Sequence, residues 1–162
     1  MIKVLKFGGT SVGSAANMKK VAEIVRREQA RITVLSAMSG TTDSLVRISR
    51  AAASGDRNAI EEQLAMLTDK YTRCIEELLR ERKQQALARM NATFGLIRDE
   101  AAAFAEYESE RKIIAQGELL TSAIFTAYLQ ETGLKAECLY SPDFMVKDPG
   151  EKVDTERIGR AL

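Results

Sequence analysis

Residues 2–55 carry one pattern twice: a short apolar run, a turn of small residues, then apolar positions at helical spacing. Ile2 to Phe7 reads as a strand, with Ile2, Val4 and Lys6 on one face and Leu5 and Phe7 on the other. Gly8-Gly9-Thr10-Ser11 turns the chain, and Met18, Val21, Ala22 and Val25 mark a helix from Ser14 to Glu28. Ile32 to Leu35 is a second short strand. Ser36 to Asp43 is a second small-residue turn, and the helix behind it holds Leu45, Val46, Ile48 and Ala52 and stops at Gly55. Alternation of this kind calls for a mostly parallel sheet with helices packed on it, an α/β fold. Ligands in such sheets bind beyond the carboxyl ends of the strands, where both turns fall.

The stretch from Asp56 to Lys112 differs. It has a single glycine, Gly95, no proline, and many Glu, Arg, Gln and Ala residues. It reads as two or three helices breaking near Arg80 to Lys83, a helical arm that buries one face (Leu64, Leu67, Tyr71, Cys74) and solvates the other. No chemistry is assigned to it. A long helix from Ser109 to Thr132 follows, closed by Gly133, and then a strand from Lys135 to Tyr140. Phe144 to Lys147 and Glu151 to Val153 flank Asp148-Pro149-Gly150 and read as a β-hairpin. Asp154 or Thr155 caps a final helix, which the chain's last residue, Leu162, falls within. There is no repeat or low-complexity linker.

The first turn is suited to anions. Backbone N–H groups converge there, a helix start adds partial positive charge, and paired glycines let a ligand approach the backbone. Lys6 sits beside the turn and Thr10 and Ser11 follow it, a combination that suits phosphoryl transfer. The order differs from GxxxxGK[ST], where the lysine comes after the glycines, and from GxGxxG. Taken alone, an ordinary βα turn accounts equally well for these residues.

Glu118 is the only charged residue between Ile113 and Gln130 and lies beside the stripe Ile113, Gly117, Leu120, Ile124 and Ala127. It is expected to be at least partly buried, which requires a cationic partner. A structural arginine would serve, and so would the ammonium group of a ligand admitted by Gly117. In the second turn Ser36, Ser39, Thr41 and Thr42 offer hydroxyls, one of which is expected to cap the next helix. Asp43 suits the first turn of that helix, and Met38 suits packing. Phosphate held with a lysine, hydroxyls, and a carboxylate for a cation together describe a phosphate donor and a small zwitterionic acceptor.

Composition narrows the alternatives. The chain has 162 residues, enough for one domain with a sizeable core, and a formal net charge of +1, which gives no case for nucleic-acid or anionic-membrane binding. It has no histidine, which removes His-based triads and most zinc sites. The two cysteines, Cys74 and Cys138, form no CxxC, and a reducing compartment, the cytoplasm, is the simplest expectation. The opening strand leaves no room for a signal peptide ahead of it. Ile113 to Gln130, the most apolar long segment, is too polar for a membrane span.

Lys6-Phe7-Gly8-Gly9-Thr10-Ser11-Val12, Val34 to Asp43 and Gln116-Gly117-Glu118-Leu119 together resemble the aspartokinases, of the amino acid kinase family. The resemblance implies a three-layer α/β/α sandwich with a mainly parallel sheet. It implies transfer of the ATP γ-phosphoryl group to the side-chain carboxylate of L-aspartate, the entry step to lysine, threonine and methionine. Lys6 would stabilise charge on the transferring group, Gly8 and Gly9 would donate N–H groups to ATP phosphates, and Thr10 and Ser11 would line that pocket. Ser36 and Thr42 would contact aspartate, and Glu118 would hold its α-amino group. ATP would arrive with Mg²⁺, no tightly bound cofactor is implied, and the full-length enzyme would be a homo-oligomer. The acceptor is already a carboxylate, so no strong base is needed. Asp43 stands where many members have asparagine. Residues 1–162 would form the amino-acid-substrate lobe of the kinase domain. The nucleotide lobe, a substrate arginine, a catalytic aspartate and the ACT domains would lie elsewhere, so this chain alone would have negligible activity. The alternatives are another amino acid kinase, with glutamate, acetylglutamate or a nucleotide as acceptor, and a binding module without turnover.

Overall fold

A computed structural model describes residues 2–145 and 153–161. Its elements run β1 (Val4–Phe7), α1 (Ala15–Glu28), β2 (Ile32–Leu35), α2 (Thr41–Ser54), α3 (Arg57–Leu78), α4 (Lys83–Ala102), α5 (Glu106–Glu131), α6 (Ser141–Phe144) and α7 (Thr155–Ala161). The two strands pair in parallel, with Val4 opposite Ile32 and Phe7 opposite Leu35. A parallel pair needs a crossover, and α1 supplies it. Ser14 caps α1 by accepting from the Asn17 N–H at 3.2 Å. Met18, Val21, Ala22 and Val25 form its buried stripe. Gly55 ends α2 in the left-handed region.

Period two sorts the sheet into two faces. Leu5, Phe7 and Leu35 pack against the core. Val4, Lys6, Ile32 and Val34 share the other face and are exposed. The core lies mainly among the helices. α2, α3, α4 and α5 pack on one another, and α1 packs on α3. Tyr71, Ile75, Leu79, Met90, Ile97, Ile113, Leu120 and Phe125 are all buried there, with the Tyr71 and Phe94 rings edge to face. Residues 56–112 supply a large share of the core, and α3 buries one face, including Leu64, Leu67, Tyr71 and Cys74, as the helical-arm reading requires. Each fully buried large apolar side chain stabilises by about 1.5–3 kcal/mol before chain entropy is charged against it.

The strand expected at Lys135 to Tyr140 is absent; those residues form an irregular segment. A strand needs a neighbour for its N–H and C=O groups, and among the described residues the sheet holds only β1 and β2. A side chain serves instead: Gln130 Nε2 donates to the Ala136 carbonyl at 2.8 Å. Of the expected hairpin, Phe144 is helical, in α6 behind Pro142. Residues 146–152, including the Asp148-Pro149-Gly150 turn, lie outside the described residues. α7 opens at Thr155, as Asp154-Thr155 anticipates. No helix among the described residues is long and apolar enough to cross a membrane, and both cysteines are free.

Candidate functional site

The parallel register brings the carboxyl ends of β1 and β2 side by side, and both small-residue turns meet there. Ser36 N–H donates to the Phe7 carbonyl, and Ser39 N–H to the Gly9 carbonyl, each at 3.1 Å. A Cβ at Gly9 would stand 2.7 Å from the Ala37 carbonyl oxygen. Only glycine permits this approach, because no side chain can share that space. Gly8 faces open space, and neither Gly8 nor Gly9 spends its N–H on another group among the described residues. Lys6 is exposed at the end of β1 and its Nζ donates to Ser36 Oγ at 3.3 Å. Thr10 and Ser11 are exposed beside it. The Thr10 carbonyl accepts from Asn17 Nδ2 at 2.9 Å, and Ser11 N–H is occupied by the Gly8 carbonyl at 3.0 Å.

One expectation about helix ends changes. α1 begins at Ala15, as its spacing predicts, with Ser14 accepting one N–H of its first turn, that of Asn17. α2 carries Gly40 at its N-cap with no side-chain cap, although a hydroxyl was expected there. The reason is local: Thr41, the nearest hydroxyl, is buried and bonded elsewhere. The α2 terminus therefore keeps free donors beside exposed Thr42. Asp43 lies in its first turn and is exposed, as its position predicts.

α5 presses on the second turn at Gly117. A Cβ there would meet Ala37 Cβ, Leu45 Cδ1 and Thr41 Cγ2, each at 3.0 Å. Glu118 follows directly but is exposed, contrary to the expected burial. The buried stripe of α5 runs through Ile113, Gly117, Leu120, Thr121, Ile124 and Phe125, and one residue's rotation carries Glu118 off it. Among the described residues no cation or hydrogen-bond donor meets its carboxylate. The structural salt bridge is thus excluded within that region, and the carboxylate is open to a ligand. Lys6, Gly8, Gly9 and Ser36 converge; Thr42 and Glu118 border the same second turn from α2 and α5.

One charged residue at this turn escaped the sequence reading. Lys70, on α3, donates from Nζ to the Ser39 carbonyl, and to Thr41 Oγ1 at 3.3 Å. Burial pushes its ammonium below the usual lysine range. Beside it the Tyr71 hydroxyl lies 3.2 Å from Thr41 Oγ1 and 3.1 Å from Thr121 Oγ1. Tyr71 was legible only as an apolar position; no sequence signal marks its hydroxyl as part of the site.

Comparison with known proteins bears on this geometry. The family model for the amino acid kinase family matches residues 1–162. The aspartokinase of Chlamydia muridarum (strain MoPn / Nigg) is 30% identical over 146 residues, covering 90% of this chain and 31% of that protein. Chloroplastic aspartokinase 1 of Arabidopsis thaliana is 35% identical over 149 residues, covering 82% of this chain and 24% of that protein. The chain thus spans less than a third of either relative. The crystal structure of Escherichia coli aspartokinase III with lysine and aspartate superposes with a TM-score of 0.87 at 23% identity, over 98% of this chain and 36% of that one. At that identity the likeness establishes the fold, an α/β domain of which these residues supply a small parallel sheet and its helices. With the family match running the full length of the sequence, the chain belongs to the amino acid kinase family.

Proposed function

We propose that this chain is the amino-acid-binding lobe of an aspartate kinase, which transfers the ATP γ-phosphoryl group to the side-chain carboxylate of L-aspartate. The observation that carries the reading is the meeting of the two turns, with Lys6 Nζ 3.3 Å from Ser36 Oγ. A cation beside free backbone donors suits a polyphosphate, and a hydroxyl within reach of that cation suits the acceptor. The similarity to aspartokinases supports aspartate as the acceptor.

In this reading Gly8 and Gly9 give N–H groups to ATP phosphates, and the open space at Gly8 admits them. Lys6 neutralises charge that builds on the equatorial oxygens as the phosphoryl group moves. Thr10 and Ser11 line the phosphate side. Ser36, Thr42 and the uncapped start of α2 receive the carboxylates of aspartate, as a helix N-terminus does for anions. Glu118, exposed and unpaired among the described residues, takes the α-ammonium group. Mg²⁺ would enter with ATP and supply charge neutralisation on its phosphates. Residues 1–162 alone would have negligible kinase activity, the nucleotide lobe being carried by further sequence.

The test is an acceptor panel on the full-length protein that carries this chain, with ADP release as readout. Aspartate should be preferred over glutamate and acetylglutamate. Glu118→Gln should raise the aspartate KM about 10–100-fold, the loss expected for a charge-assisted hydrogen bond, with the ATP KM within about twofold. Preference for another acceptor, or a Glu118→Gln enzyme with unaltered aspartate KM, would remove the assignment.

A further inference from the structure

Behind the second turn lies a row of hydroxyls whose proton directions follow from counting. Thr121 Oγ1 donates to the Gly117 carbonyl at 2.8 Å and accepts the Met38 N–H at 3.2 Å. A hydroxyl has one proton, so the contact between Tyr71 and Thr121 must be donated by Tyr71. The Tyr71 proton is then committed, and its contact with Thr41 must be donated by Thr41. Thr41 in turn accepts from the Lys70 ammonium, which has no acceptor capacity. The result is one directed chain: Lys70 to Thr41 to Tyr71 to Thr121 to the Gly117 carbonyl.

All three hydroxyl-bearing residues are buried, at 1% for Thr41 and 0% for Tyr71 and Thr121. Every hydroxyl proton in the row has an acceptor, so the hydroxyl network is complete. Bonds aligned in one direction polarise one another, and a break in the row leaves buried polar groups unpaired. The row joins α3, α2 and α5 and also holds the second turn, through Met38 N–H and the Ser39 carbonyl. It ends on the carbonyl of Gly117, the residue before Glu118.

We propose that Tyr71 is a positioning residue for the amino-acid acceptor: through Thr41 and Thr121 it fixes the second turn, with Ser36 and Thr42, against the stretch of α5 that bears Glu118. Tyr71 touches no reactant. It sets the spacing between the groups that bind the acceptor's carboxylates and the group that binds its ammonium. This rests on the acceptor site proposed above, and nothing in it depends on the acceptor being aspartate.

The experiment uses the full-length protein with Tyr71→Phe, which removes only the hydroxyl, and Lys70→Met, which removes the head of the row. The acceptor is whichever one the unaltered protein phosphorylates best, so failure of the aspartate assignment is read separately in that first measurement. Tyr71→Phe should raise the acceptor KM about tenfold, within the hundredfold that an ångström of misplacement can cost, with the ATP KM within about twofold. Lys70→Met should act in the same direction more weakly, and Lys70→Arg should restore most of the loss. Native-state hydrogen exchange supplies a readout independent of turnover: the Met38 amide should lose about tenfold in protection in Tyr71→Phe, with amides of α4 unchanged. An unchanged acceptor KM, or equal loss of protection in α4 and at Met38, would overturn the proposal. The second result would mark Tyr71 as general core.

Discussion

Gly117→Ala sets two known effects against each other at one atom. An alanine in a helix interior is favoured over glycine by about 1 kcal/mol. Here the added Cβ would stand 3.0 Å from Ala37 Cβ, Leu45 Cδ1 and Thr41 Cγ2 together. Ordinary contact begins near 3.4 Å. Three neighbours on the second turn and α2 must therefore each yield by several tenths of an ångström, and all three belong to buried positions. Overpacking of this kind costs about 1–3 kcal/mol, so packing outweighs propensity and the net destabilisation is about 1 kcal/mol. In a chain of this size that lowers Tm by roughly 2–4 °C. Gly95→Ala is the matched control. Gly95 is inside α4 and its added Cβ meets nothing within 4 Å, so propensity acts unopposed and stability should rise by up to about 1 kcal/mol. Urea titrations of both variants, followed by far-ultraviolet circular dichroism, give the comparison directly. Their difference isolates the packing cost of bringing α5 onto the turn. Equal stabilisation by the two alanines would refute the close approach, and with it the placement of Glu118 beside the second turn.

Lys6→Met should leave stability within about 0.5 kcal/mol, because Lys6 is exposed, yet lower kcat of the full-length protein about a hundredfold or more; a small loss would exclude a role in stabilising transferred charge. Burial raises the Cys74 thiol from 9.0 to about 11, with Glu77 adding to the rise and Lys70 opposing it. A raised pKa contributes stability that is complete below about pH 9 and lost as pH climbs through 11. Stability should thus fall by roughly 2–3 kcal/mol across that window beyond any other trend. Lys70, lowered by burial, acts in the opposite sense as pH approaches 10.5. Comparing pH titrations of stability for the unaltered chain and Cys74→Ala isolates the thiol; identical slopes would disprove its contribution.

The β-turn-α-β-turn-α order was legible because its signals are local. Ser14 and Gly55 do their capping within one helical turn, and period two already divides Lys6 from Phe7. The juxtaposition of Lys6 with Ser36 followed from parallel strands alone. What failed was non-local. Lys135 to Tyr140 has the pattern of a strand, but a strand exists only where another lies beside it. Glu118 stands alone in an apolar stretch, yet its exposure depends on which side of α5 meets α2 and α4. Tyr71 hid its role completely: its hydroxyl partners lie 30 and 50 residues away in sequence. Isolation of a charge in sequence reports composition, whereas burial reports azimuth around a helix, and the two need not agree.

The open side of the β1–β2 pair has a consequence of its own. Val4 and Val34 are 55% and 46% exposed, on a sheet whose outer edges meet no further strand among the described residues. Most folded proteins become adhesive only when they unfold. Here the described residues already present an apolar face when folded, beside outer strand edges that meet no further strand among them, the kind of surface on which strands of separate molecules dock. Clumping of this chain would therefore track its concentration rather than its melting. Conditions that tighten the helical core would do nothing to prevent it, whereas a charge placed at Val4 or Val34 would.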